Sequence, residues 1–374
     1  LTSQRGLAVL WSTSFIDQMG FGIVVPILPL YAKKFGASAF EAGMLLAVYS
    51  LAQWTTSTWW GRLSDRIGRR PVIIAAALGG CAGFIVIGSA SALWMVLVGR
   101  AVLGCFGVGT QTAQAWIADT TSPEQRGRAM ALLGAAGGLG FVAGPAIGAL
   151  AILAGGMRLA FVLSAGCAAA NAIFARLVLP HAPPVARTRT RSASGWRLVV
   201  PCLVVGFTLT YALSGVEATF ALFTTTELSF APSDNGWAYA GMALVAAATQ
   251  IFIVGRLSAR WSDPRRVALG LVALGLGVGF VPTGSLGALI PSIAMLSVGY
   301  AIAVPSLAAW VSRRAPAERQ GELLGLAQSV SALARVAGPG IGGLLFDHVG
   351  HSAPFHVSAA MIGIVALATF TRAS

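Results

Sequence analysis

Residues 61–72 read Gly-Arg-Leu-Ser-Asp-Arg-Ile-Gly-Arg-Arg-Pro-Val, and residues 255–267 read Gly-Arg-Leu-Ser-Ala-Arg-Trp-Ser-Asp-Pro-Arg-Arg-Val. Gly61 thus returns as Gly255, 194 positions later. The same offset carries Trp116 to Trp310, Gly127 to Gly321, and Ala143-Gly144-Pro145 to Ala337-Gly338-Pro339. One offset linking four separate places marks a duplicated half. Each copy of the basic stretch interrupts apolar sequence, and two similar apolar halves of this kind point to a transporter built from repeats.

The apolar sequence around the stretches is membrane sequence. Of 374 residues 56% are hydrophobic and 10% charged, with mean hydropathy +0.78, against about 25% charge in soluble domains. Runs long enough to span a bilayer, about 20 residues each, fall near 7–31, 39–61, 72–91, 93–118, 129–155, 157–180, 198–226, 236–255, 267–286, 288–311, 322–346 and 353–371. We number these spans one to twelve. The first is too long for the core of a cleaved signal and carries Asp17, so it is expected to remain as a span.

A net charge of +13 raises the question of nucleic acid, and its placement answers it. With the amino terminus inside, nineteen of the 25 Lys and Arg residues fall on inside segments. Lys33, Lys34 and Arg158 fall outside, and Arg100, Arg176 and Arg335 within spans. This bias predicts a multi-pass protein of the cytoplasmic (inner) membrane with both termini cytoplasmic. No nucleic-acid partner is expected.

Residues 181–196, His-Ala-Pro-Pro-Val-Ala-Arg-Thr-Arg-Thr-Arg-Ser-Ala-Ser-Gly-Trp, are the longest polar segment. They read as a cytoplasmic linker between six-helix halves at 1–180 and 197–374, with arginines suited to anionic lipid headgroups. Loops elsewhere are short, so the bundle must carry the function. Gly140, Gly144 and Gly148 share one face of span five, and Gly338 and Gly342 one face of span eleven. Pro145 and Pro339 remove a backbone donor at matching places and favour kinks. A kinked glycine face in each half is where two halves are expected to rock.

Several segments together resemble a known family. Span one reads Phe15-Ile-Asp-Gln-Met-Gly-Phe-Gly-Ile-Val-Val-Pro-Ile-Leu-Pro. The basic stretch follows span two. Span four opens Leu97-Val-Gly-Arg-Ala-Val-Leu-Gly and closes Trp116-Ile-Ala-Asp-Thr-Thr-Ser-Pro-Glu-Gln-Arg-Gly, and span five carries Gly140-Phe-Val-Ala-Gly-Pro-Ala-Ile-Gly. These resemble the major facilitator superfamily, specifically its twelve-helix proton-linked drug antiporters, and the first half is similar to the tetracycline-efflux proteins. The resemblance covers about 1–180 well. In 197–374 it rests on the second loop copy and the Ala-Gly-Pro-Gly-Ile-Gly-Gly segment. It implies an all-α membrane protein of two six-helix pseudo-repeats that works by alternating access.

The resemblance also implies that the first basic loop, with Gly61, Asp65 and Gly68, is a gating clip. Arg69 is placed to pair with Asp119. Asp65 is placed to face the positive amino end of span eleven, near Gln320–Leu323. In the second copy Ala259 stands where Asp65 stands in the first, so that clip is expected to be weaker. The alternative is that these charges only set topology.

Four ionisable residues lie deep within spans: Asp17, Arg100, Glu217 and Arg335. A charge at a helix centre costs roughly 2.5–3.5 kcal/mol on insertion scales, which is tolerated for pairing or function. Asp17 and Glu217 are the candidate proton sites. The alternative is two static pairs, Asp17 with Arg100 and Glu217 with Arg335. Arg100 matches the family's span-four arginine, which the resemblance implies assists proton transfer; Arg335 reads as a structural charge. The tetracycline exporters carry further acids in spans three and nine, and 72–91 and 267–286 contain none, which weakens the case for a cation-chelate substrate. Candidate cavity residues are Gln53, Trp54, Gln111, Gln114, Tyr211, Gln250, Tyr300, Trp310 and Gln328. They suit a small amphipathic compound, neutral or cationic. Trp94 and Trp310, near span ends, read as interfacial anchors.

The remaining signals are negative. Cys81, Cys105, Cys167 and Cys202 lie in separate spans with no CxxC pair and read as packing residues. His348, His351 and His356 have only Asp347 nearby, so no metal is expected. No Gly-x4-Gly-Lys-Ser/Thr run occurs and no nucleophile–base set is visible, so neither ATP-driven transport nor an enzyme is expected, and no cofactor. The expected partners are a small-molecule substrate, protons and membrane lipids, and the expected state is a monomer. The reading is proton-coupled export of a small amphipathic compound or drug, with antibiotic resistance as the associated trait. The alternatives are a lipid or metabolite exporter, or a non-transporting receptor or assembly protein.

Overall fold

The structure, a computed structural model, describes residues 4–121, 123–180, 199–314 and 320–371. The linker reading at 181–196 therefore lies outside the described residues. The described residues are almost entirely helical, the state a bilayer imposes because a helix pairs its own backbone. In chain order the helices are α1 (Gln4–Lys33), α2 (Ala39–Ile67), α3 (Arg69–Gly88), α4 (Leu93–Phe106), α5 (Gly109–Thr120), α6 (Pro123–Val178), α7 (Val200–Glu227), α8 (Pro232–Thr249), α9 (Gly255–Arg260), α10 (Asp263–Phe280), α11 (Leu286–Arg314), α12 (Gln320–His348) and α13 (Ala353–Phe370).

Among the described residues, ten segments are long and apolar enough to cross a membrane. One of them, Gln125–Val178, holds spans five and six, which part at Gly155–Gly156. Gly156 has φ 80°, a left-handed conformation that glycine adopts without a Cβ penalty. The 29-residue α2 is not among the ten, because Glu41 near its start and Tyr49, Ser50, Gln53, Trp54, Thr55 and Thr56 in its middle lower its hydropathy. Span four is divided between α4 and α5. Span eight continues from α8 through a π-helical turn, Gln250–Val254, into α9. These segments occupy the places of the twelve expected spans.

The chain forms two compact units. The first comprises Leu1–Gly36, Val48–Thr190 and Pro232–Ala240; the second comprises Ala37–Ala47, Arg191–Ala231 and Gly241–Ser374. Each includes a short segment from the opposite half of the sequence. In the first unit α6 packs on α1 and α3. An apolar cluster of Val9, Leu10, Ile73, Ala113, Trp116, Ile117 and Leu133 lies near the end that carries the basic loop. In the second unit α12 packs on α7, and α10 on α11 and α13.

The glycine faces make the α1–α6 and α7–α12 contacts. A Cβ at Gly140 would lie 2.1 Å from the Phe15 carbonyl oxygen, and one at Gly144 2.5 Å from that of Met19. Gly148 faces Ile23 and Ile27. In the second unit a Cβ at Gly338 would lie 2.5 Å from the Tyr211 carbonyl oxygen, and Gly342 faces Gly215. Each glycine face is thus seated on a helix of its own sequence half: span five on span one, span eleven on span seven.

Candidate functional site

Span four is broken in mid-course. Gly107 (φ −72°, ψ 48°) and Val108 (φ −119°, ψ 5°) separate α4 from α5. Such a break frees carbonyls at the end of α4 and N–H groups at the start of α5, and lipid satisfies neither. Span two serves the carbonyls. Trp60 Nε1 donates to the Cys105 oxygen at 2.6 Å, Thr56 Oγ1 donates to the same oxygen at 3.2 Å, and the Gln53 amide donates to the Gly107 oxygen. Span one serves the N–H side. Asp17 Oδ2 accepts from the Thr110 N–H at 2.9 Å and from Thr110 Oγ1 at 3.0 Å. A Cβ at Gly109 would lie 2.5 Å from that same Oδ2, so the approach of the carboxylate requires glycine there. The first turn of a helix favours an anion through its free N–H groups and its dipole.

Asp17 is therefore held by neutral donors. Arg100 is 1% exposed and its guanidinium lies over the Tyr49 ring, 4.5 Å from the centroid, a cation–π geometry. Among the described residues no ion pair joins Asp17 to Arg100, so the static pairing open to the sequence is not made. The second unit arranges its charges otherwise. Glu217 of α7 and Arg335 of α12 interact electrostatically, and Tyr300 of α11 lies in the field of both.

At the basic loop, Arg69 Nε donates to Asp119 Oδ2 at 3.0 Å, while its Nη1 reaches Asp65 Oδ1 and Ser64 Oγ, each at 2.7 Å. Gly68 sits between α2 and α3 with φ 92°, which accounts for glycine at that place. It turns the chain so that Arg69 faces back to Asp65 and across to Asp119. Gly61 is exposed with open space around it, and its packing explains nothing about its identity. The expected partner of Asp65 near Gln320–Leu323 falls largely on side chains outside the description.

The second copy is not simply a weaker one. Asp263, at the start of α10, accepts from Arg313 Nε at 2.6 Å and Arg313 Nη2 at 2.8 Å, and is also in contact with Arg266. Asp263 corresponds to Arg69 and Arg313 to Asp119 by the 194 offset, so the charges are exchanged. Nothing in the loop motif announced this; the offset applied to charged residues, rather than to matching ones, finds it.

The candidate cavity residues are dispersed. Gln111, Gln114, Gln250 and Gln328 are exposed, with Gln250 opening the π-helical turn of span eight, a distortion often found at functional sites. Tyr211 is buried, its ring stacked on Phe207 at 6.1 Å. Gln53 is committed to the span-four break. Trp310 is 3% exposed with Arg314 over its ring, so it is a packing residue, and the reading as an interfacial anchor is corrected. Trp94, 65% exposed, suits that role. His351 pairs with Glu227 at 2.6 Å and stacks on Phe346.

Comparison with known proteins agrees with this architecture. The chain is 31% identical over 352 residues to the class B tetracycline resistance protein of Escherichia coli, covering 90% of this chain and 87% of that protein. It is 27% identical to multidrug resistance protein 2 of Bacillus subtilis (strain 168), covering 91% and 88%. The human organic anion transporter MFSD10 superposes with a TM-score of 0.73 at 21% identity, covering 98% of this chain and 99% of that one. The family model described as the Major Facilitator Superfamily matches residues 10–226 and again 202–373, once for each half that the offset of 194 separates, and the chain belongs to that superfamily.

Proposed function

We propose that the protein exports small amphipathic compounds across the cytoplasmic membrane in exchange for protons, with both termini cytoplasmic, as a monomer in contact with lipid. Two six-helix halves, 1–180 and 197–374, joined by 181–196, alternate their access. The family and the resistance proteins among its relatives support drug efflux. The observation that carries the proton reading is the setting of Asp17: a carboxylate within a span, hydrogen-bonded among the described residues by Thr110 at the break of span four. A carboxylate fixed by a neighbouring cation is a permanent ion pair. One held by an N–H and a hydroxyl can take up a proton at modest cost, because protonation removes only the charge-assisted part of those hydrogen bonds. Protonation also removes the negative charge that faces the amino end of α5, which gives the proton a mechanical consequence at the break. Glu217, in the field of Arg335, is the second candidate acid, with Tyr300 beside it. Arg100 assists from span four.

The absence of acidic residues in 72–91 and 267–286 supports a neutral or cationic amphipathic substrate over a metal chelate. The test is substrate uptake into proteoliposomes under an imposed pH gradient, after a thermal-shift screen of drugs and lipids that includes tetracycline and a quinolone. Gradient-driven uptake that survives fully in both Asp17→Asn and Glu217→Gln would falsify the proton assignment. No ligand and no flux would favour a receptor or assembly role instead.

A further inference from the structure

The amino end of α2 presents N–H groups that the helix itself cannot satisfy. Two are handled locally by a capping box. Ser38 Oγ accepts from the Glu41 N–H at 3.1 Å, and Glu41 Oε2 accepts from the Ser38 N–H at 2.8 Å. The two between them, on Ala39 and Phe40, donate to Asp347 Oδ1 and Oδ2 at 3.0 and 2.9 Å. Asp347 lies in the last turn of α12. One carboxylate thus completes the cap of a helix some 308 positions away in the chain, through two charge-assisted bonds and the helix dipole.

The backbones beneath this cap are in close contact. A Cβ at Gly343 would lie 2.4 Å from the Ala39 carbonyl oxygen, and one at Gly43 2.2 Å from that of Pro339. All of these residues belong to the second compact unit, which takes in Ala37–Ala47. The first unit contains the counterpart, the start of α8 against α6: a Cβ at Gly236 would lie 3.0 Å from the Pro145 carbonyl oxygen. There the acid is on α8 itself, Asp234 in its first turn. Leu153 stands at the position related to Asp347 by the 194 offset. α8 also begins with Pro232, which has no N–H to satisfy.

We propose that Asp347 is an outer latch, fastening the outer end of span two to that of span eleven and releasing when the transporter opens outward. The proposal rests on the alternating-access reading above. The reverse arrangement is expected at the inner ends of the same two spans, where the acid, Asp65, is on span two. The latch acid comes from α12, where α6 has Leu153, so the two pseudo-equivalent outer contacts are built differently.

Two variants probe the latch from opposite sides. Asp347→Asn keeps the shape and removes the charge. Ala39→Pro removes one donor of α2 at a helix position that accepts proline and leaves α12 untouched. In a background lacking the four native cysteines, spin labels at Lys34 and Val349 report the separation of the outer ends by pulsed electron resonance. Both variants are expected to raise the ratio of separated to closed populations about tenfold, the scale of one hydrogen bond to a charged group. Distance distributions identical to the parent protein in both folded variants would overturn the latch and leave Asp347 as a passive cap. Shifted distributions with no proton-driven flux in the parent protein would keep the latch and overturn the transport reading instead.

Discussion

Asp263 and Arg313 join α10 to α11 through two hydrogen bonds, at 2.6 and 2.8 Å, as Arg69 and Asp119 join α3 to α5 with the charges reversed. The polarity in each half matches a near neighbour of opposite charge: Asp65 one turn before Arg69, and Arg266 just after Asp263. The partners differ in exposure. The Asp263 and Arg266 side chains are 6% and 5% exposed, that of Arg313 67%. Removing Arg313 therefore loses a screened, largely exposed partner and costs about 1 kcal/mol or less. Asp263→Asn strands the buried Arg266 and costs about 3–5 kcal/mol. Melting temperatures of the purified Arg313→Ala and Asp263→Asn proteins should differ in that order. Equal losses would mean that Arg266 has another sufficient partner.

The same logic predicts that charge exchange in the first half fails. Arg69→Asp with Asp119→Arg reproduces the polarity found at Asp263 and Arg313, but sets the new acid one turn from Asp65. The double variant should remain less stable than the parent protein, and adding Asp65→Ala should recover part of the loss. A double variant as stable as the parent would show that local context does not set the polarity.

Asp17 accepts two hydrogen bonds from Thr110, of which Thr110→Val removes the hydroxyl and keeps the N–H. A neutral hydrogen bond worth roughly 0.5–1.5 kcal/mol corresponds to about 0.4–1.1 pH units at 1.36 kcal/mol per unit. The pH profile of gradient-driven uptake should move by that much in Thr110→Val and stay in place in Thr110→Ser, while Asp17→Asn should lose the pH dependence and retain substrate exchange without a gradient. An unmoved profile in Thr110→Val would reduce Thr110 to a packing residue.

The helical membrane architecture was legible because bilayer crossing leaves a long apolar signature and duplication leaves an offset. Asp17, Arg69 and Asp119 were legible because charge is rare in such sequence. The break of span four was not, although Gly104, Gly107 and Gly109 cluster there. Glycine serves close packing as readily as interruption, and only the donors on Gln53, Thr56 and Trp60, from a separate helix, make the interruption affordable. The Asp263–Arg313 pair was hidden by its exchanged charges, since a search for repeated residues cannot find a repeated interaction. Asp347 was visible only as an isolated acid in an outer loop, because its partners are backbone N–H groups without a sequence mark.

Glycines of span five separate packing from mere permissiveness. Gly140 has no room: an added Cβ meets the Phe15 carbonyl oxygen at 2.1 Å, and its Cα at 3.0 Å. Backbone cannot turn aside as a flexible side chain does, so Gly140→Ala must push α1 from α6, with an overpacking cost of about 1–3 kcal/mol. Gly138, two residues earlier, has nothing within 4 Å of the same added atom. There alanine gains helix propensity of up to about 1 kcal/mol without steric penalty. Thermal stability of the two single variants should therefore move in opposite directions from the parent protein. Because α1 also carries Asp17 to the break of span four, Gly140→Ala should disturb gradient-driven uptake beyond its effect on stability, measured at a temperature where both variants remain folded. Equal stability of the two variants would mean that α1 and α6 separate without cost, and would remove the basis for treating this helix pair as the rigid support of Asp17.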